Sequence, residues 1–173
     1  MKAPGVATLR GAFMATLLGA PGCASDANTD TQVVIDAQTV VSLDRTACMG
    51  ACPDYALTVG GDGTVTFVGR RYVKVVGTAT GQIPVADVQT LVETMEQLNY
   101  FGLSVPTTCE SVKTDSPTAT TSLTITGTTH TVQHYHGNLC APEALHTIED
   151  LIDIVGQSGQ WVKCDTATGI CPL

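Results

Sequence analysis

RTACMGACPDYALTVGGDGTVTFVG, residues 45–69, joins a close cysteine pair, a proline stop and two alternating apolar runs around a glycine-rich turn. Cys48 and Cys52 are four residues apart, and Pro53 drives the residue before it towards extended backbone, so a helix does not run through the pair. A tight loop closed by the two cysteines is expected. After it, Tyr55, Leu57 and Val59 alternate with Ala56, Thr58 and Gly60, and beyond the turn Val65 and Phe67 alternate with Thr64, Thr66 and Val68. A period of two marks strands. Between them Gly60-Gly61-Asp62-Gly63 tolerates the positive φ that a hairpin turn demands, so the two strands pair antiparallel.

Outward from this hairpin, Val33, Val34, Ile35, Val40, Val41 and Leu43 read as a β-branched strand leading into Arg45, and Tyr72 to Val76 as another strand after Gly69. A meander is the simplest layout. Pro84 suits a helix start, and Val85, Val88, Leu91, Val92, Met95 and Leu98 then recur at three- and four-residue steps, which gives one apolar face. Met95 is core filling rather than a metal ligand, and Asn99 to Gly102 ends the helix. A polar loop over 104–118 carries Cys109. Leu123 and Ile125, a Gly127-Thr128 turn and Thr131 to Tyr135 form a second hairpin. Pro142 opens a second helix with Leu145, Ile148, Leu151, Ile152 and Val155 on one side, ending at Gly156. Strands and helices come in blocks without strict alternation, which predicts an α+β fold. The expected architecture is an antiparallel β-sheet of five to six strands with two helices on one face, stapled by disulfides.

The N-terminus carries Lys2 and Arg10 with no acid, then an apolar run from Ala12 to Ala20, then Ala20-Pro21-Gly22-Cys23, the three-part layout of a secretory signal. The run is too short to span a bilayer. Gly22-Cys23 resembles the bacterial lipobox, which implies a signal over 1–22, a lipid on Cys23 and a membrane anchor. Residues 23–31 read as a polar tether and 32–173 as a single domain. Without the signal the chain has 6 basic against 16 acidic side chains, a net −10 against −8 for all 173 residues. That excess of acid argues against nucleic acid as a partner. The expected location is the bacterial cell envelope, with a protein or a small molecule as the ligand.

With Cys23 lipidated, Cys48, Cys52, Cys109, Cys140, Cys164 and Cys171 form an even set in an oxidising compartment, which favours disulfides over a zinc cluster. Proximity pairs Cys48 with Cys52, Cys164 with Cys171, and therefore Cys109 with Cys140. The organising stretch, through Arg45, Thr46, Cys48, Gly50, Cys52, Pro53, Tyr55, Asp62 and Gly63, also closely resembles the uncharacterised bacterial family called domain of unknown function 6438. That resemblance continues more loosely through Trp161 and implies a fold without implying an activity.

Three groups of residues carry possible chemistry. The Cys48-x-x-x-Cys52-Pro53 loop resembles the copper loop of the Sco-type chaperones, and thiolates suit copper(I). In those proteins, however, the loop precedes a helix within a thioredoxin fold, whereas a hairpin follows here, so a structural disulfide is the expectation. His130, His134 and His136 share strand parity, and His134 and His136 have the spacing of a His-x-His metal pair, with His146 on the helix that follows. Spacing supplies no evident further ligand, so they are expected to be surface or half-buried histidines. Glu149, Asp150 and Asp153 read as a solvated helix face. Hydrolase, nucleotide-binding, zinc-protease and calcium-loop patterns are missing from the sequence. The reading is a non-enzymatic binding or structural module with no cofactor and no metal. The alternative is a copper or thiol-redox protein that uses Cys48 and Cys52 with His134 or His136.

Overall fold

Alternation on both sides of the glycine-rich turn folds into the central hairpin of a six-stranded antiparallel sheet in the computed structural model, which describes residues 33–162. In chain order the elements are β1 (Val40–Arg45), β2 (Asp54–Gly60), β3 (Thr64–Arg71), β4 (Gly77–Gln82), α1 (Val85–Gln97), β5 (Thr118–Ile125), β6 (Thr128–Tyr135) and α2 (Glu143–Val155), with short 3-10 turns at Tyr100–Gly102 and Ser158–Gln160. The strand order is β4-β3-β2-β1-β5-β6. The first four strands are a meander, but the chain then crosses through α1 and returns beside β1 instead of β4. This places β1, and Arg45 at its end, in the middle of the sheet.

Period-two patterning decides which face is covered. Val41, Leu43, Leu57, Val59, Val65, Phe67, Leu123 and Val132 point inward and are buried, together with Val88, Leu91, Val92 and Met95 of α1 and Leu145, Ile148 and Ile152 of α2. Both helices therefore pack on one face, and each fully buried apolar side chain contributes about 1.5–3 kcal/mol relative to exposure. Tyr55, Phe67 and Trp161 stack in a row at centroid spacings of 5.4 and 5.2 Å. A rung of hydroxyls, Thr80–Thr66–Thr58–Ser42–Ser122–Thr131, crosses all six strands on the other face.

Local chemistry moves several boundaries. The first strand begins at Val40 and not at Val33, because Asp36 closes a turn: its carboxylate accepts from the Gln38 N–H and the Thr39 hydroxyl, and its carbonyl accepts from the Thr39 N–H. Tyr72 to Val76 is the connection into β4 and not a strand, despite its β-branched residues; Tyr72 has φ 53°, and the chain turns again at Gly77, φ 95°. Strand β4 is the threonine- and glycine-rich run that follows. In the second hairpin the turn is Thr126-Gly127, both at positive φ (48° and 77°), so Thr128 already belongs to β6. The reversal after α1 falls on Asn99, φ 56°.

Cys48 pairs with Cys52 in the β1–β2 loop and Cys109 with Cys140, joining the polar loop to the segment after β6. Backbone hydrogen bonds support the second link: Lys113 N–H donates to Gly137 O and Leu139 N–H to Ser111 O. The Cys164–Cys171 pairing, Cys23, the signal and the tether lie outside the described residues.

Candidate functional site

One rung of the sheet passes beneath α2: Gly69, Tyr55, Arg45, Ala119 and His134 are successive partners across β3, β2, β1, β5 and β6. Arg45 and His134 are thus separated by a single small side chain, that of Ala119. Glu149 comes down onto them from the inner face of α2, in the same stripe as Leu145 and Ile152. It is 1% exposed, so it does not belong to the solvated face expected from its neighbours. Asp150, 63% exposed at its side chain, does.

Three donors hold the buried carboxylate. His134 Nδ1 donates to Glu149 Oε1 at 2.7 Å, His136 Nε2 to Oε2 at 2.6 Å and Arg45 Nη1 to Oε2 at 3.2 Å. Burial by itself would raise the carboxyl pKa, but the hydrogen bonds from His134 and His136, with the Arg45 guanidinium nearby, outweigh it and bring the group down to about 2. Glu149 is therefore a fixed anion. Arg45 extends the network, its Nε donating to Asp153 Oδ2 at 2.9 Å; Nη2 lies at the same distance from that oxygen as an ion-pair contact without hydrogen-bond geometry. The Tyr55 hydroxyl donates to Asp153 Oδ1 at 2.6 Å, and burial together with the Asp153 charge raises its pKa. Burial opposes the charge on Arg45 as well, yet Asp153, Tyr55 and Glu149 keep the guanidinium more firmly protonated than usual.

The imidazoles meet on the outer side of Glu149. His134 is buried on β6, His136 follows just beyond the strand with its N–H donating to Pro117 O, and His146 stands exposed one turn before Glu149 on α2. Ring centroids lie 4.6 Å apart for His134 and His136, 4.5 Å for His134 and His146, and 5.0 Å for His136 and His146. Burial, then the neighbouring His134, lowers the His146 pKa and favours a neutral ring. One donor atom from each of His134, His136, His146 and Glu149 lies within 4.8 Å of every other. The His134 Nε2 atom is buried and has no hydrogen-bond partner.

The sequence-based candidates therefore divide. His134 and His136 do come together, but His134 is wholly buried instead of half-buried. Cys48 and Cys52 are joined to each other, and no cysteine belongs to the metal-capable group found among the described residues. His130 goes elsewhere, donating to Leu103 O at 2.9 Å and lying edge-on to Tyr100. His146 and Glu149 complete the cluster, and a signal for them existed: three residues apart on one helix, they share a face. Reading His-x-His on a strand together with His-x-x-Glu on the next helix would have found the constellation. The role of Arg45 had no such signal, because it depends on the order of strands across the sheet.

No curated protein matches the chain. Residues 39–156, well over half of the chain, match a family that spans the sheet from the residue before β1 through the last residues of α2 and includes every member of the buried network. The chain belongs to the family described as domain of unknown function (DUF6438).

Proposed function

We propose that the chain is an exported, lipid-anchored domain of the bacterial cell envelope that acts by binding and not by catalysis, with its ligand site at the histidine cluster between β6 and α2. The observation that carries the export reading is the pair of disulfides, Cys48–Cys52 and Cys109–Cys140, since such links persist in oxidising compartments and are rare in the cytosol. The signal-like segment before Cys23 supports it from the sequence. Arg45, Glu149 and Asp153 bind one another and their neighbours, so these buried charges are committed to holding α2 on the sheet, which fits a binding role better than proton transfer by the carboxylates. The acidic surface fits a cation or a basic protein better than nucleic acid.

Cell fractionation of wild type and Cys23→Ser with a fatty-acid probe tests the anchor. Labelled, membrane-bound wild type and unlabelled, soluble Cys23→Ser are expected; equal labelling of both contradicts the reading. Thiol titration of the native protein should find no free thiols. A Cys48–Cys52 pair that mild reductant opens selectively would favour thiol exchange at that loop instead.

A further inference from the structure

A neutral imidazole has one N–H and one lone pair, and an ionised carboxylate only accepts. The 2.7 Å contact with Glu149 Oε1 therefore assigns the proton of His134 to Nδ1 and leaves Nε2 as an acceptor. That acceptor is buried and unpartnered, beside the rings of His136 and His146. The same logic at His136, whose Nε2 donates to Oε2, leaves its Nδ1 with the lone pair. One carboxylate thus orients two rings from behind and sets both tautomers. A shared carboxylate behind nitrogen ligands is the usual outer layer of a histidine metal site, where it fixes ring orientation and raises ligand basicity. Arg45 shares Oε2 with His136, and its charge helps keep the carboxylate in that outer role.

We propose, on the reading that this cluster is the binding site, that His134 Nε2, His136 Nδ1 and an imidazole nitrogen of His146 bind one divalent late transition-metal ion, of the zinc or copper(II) class, with Glu149 as their common outer-shell acceptor. Nitrogen donors without sulfur suit these ions better than copper(I), and better than calcium or magnesium, which take oxygen. Tetrahedral bonds of about 2.0–2.1 Å put donor atoms about 3.4 Å apart. Ring centroids 4.5–5.0 Å apart set the three imidazoles around a common point, and the exposed His146 side chain is free to turn a nitrogen towards it. Exposure of His146 also marks the entry path and leaves the fourth position to solvent or to a ligand atom.

The test is calorimetric titration of the purified, chelator-stripped full chain with zinc chloride, beside His146→Ala, Glu149→Gln and Cys48→Ser/Cys52→Ser. One zinc per chain is expected. His146 is exposed and its side chain makes no hydrogen bond among the described residues, so its alanine variant should fold; its affinity should fall by more than about a hundredfold, beyond the usual tenfold-to-hundredfold effect of an outer-shell change. Glu149→Gln should stay within that outer-shell range at unchanged stoichiometry, and the double cysteine variant should bind as wild type does. X-ray absorption at the zinc edge of wild type should show imidazole nitrogens at about 2.0–2.1 Å, a readout that does not require any buried variant to fold. No saturable binding, full binding by His146→Ala, or sulfur in the zinc shell overturns the proposal. None of these results bears on export, which the Cys23→Ser fractionation decides separately.

Discussion

Replacing Arg45 by Met keeps an unbranched side chain of similar length and removes only the guanidinium. Glu149, 1% exposed at its side chain, would then lose one of its three donors while remaining ionised, and Asp153, 18% exposed, would keep only the Tyr55 hydroxyl among its described partners. Removing one partner of a buried ion pair costs about 3–5 kcal/mol, because it leaves a buried charge uncompensated. Two histidine donors still hold Glu149 and water still reaches Asp153, so the lower end, about 3 kcal/mol, is expected. At a urea dependence of about 1.5–2 kcal/mol per molar, the unfolding midpoint falls by about 1.5–2 M. The assay is urea denaturation of metal-free protein followed by far-UV circular dichroism, with an unchanged slope required for the comparison. The double variant Arg45→Met/Glu149→Gln should lose clearly less than the sum of the two single changes, because the uncompensated charge disappears. A loss below about 1 kcal/mol, the range of an exposed ion pair, would refute the account of Arg45 as the buried counter-ion of α2.

Tyr55→Phe removes a 2.6 Å hydrogen bond to an ionised carboxylate and keeps the stacking on Phe67, so a loss of about 1.5–3 kcal/mol is expected in the same urea assay. Opening the Cys109–Cys140 link by Cys109→Ser/Cys140→Ser should cost about 3.7 kcal/mol on the chain-entropy account, against about 2 kcal/mol for Cys48→Ser/Cys52→Ser; thermal unfolding of the two variants should rank them in that order. Gly69→Ala would drive a Cβ into the Val75 carbonyl oxygen, a clash with backbone that cannot swing away, and should destabilise by about 1–3 kcal/mol.

Much of the fold was legible because it is written in short-range patterns. Tyr55, Leu57 and Val59 declare a strand, Val88, Leu91, Val92 and Met95 declare a helix face, and the spacing of six cysteines was enough to pair Cys109 with Cys140. The errors arose where local chemistry overrode propensity. The Asp36 turn cuts Val33 to Ile35 away from β1, and the positive φ of Tyr72 and Gly77 displaces the strand from a β-branched run to Gly77–Gln82. The site was only half legible. His134 and His136 follow from strand parity, but Glu149 sits among acids at positions 150 and 153 and resembles a polar face until a buried arginine two strands in from His134 is known to lie under it. Long-range pairing of β1 with β5 supplies that arginine, and no local period encodes it.

The central claim, a binding module whose ligand site is the histidine cluster, is tested most directly by elemental analysis of the protein purified without chelators from cells that express it, wild type beside His146→Ala. About one zinc or copper ion per chain in wild type, lost in His146→Ala, is the predicted result. Protein isolated without stoichiometric metal, or carrying the same metal in both forms, would contradict the account.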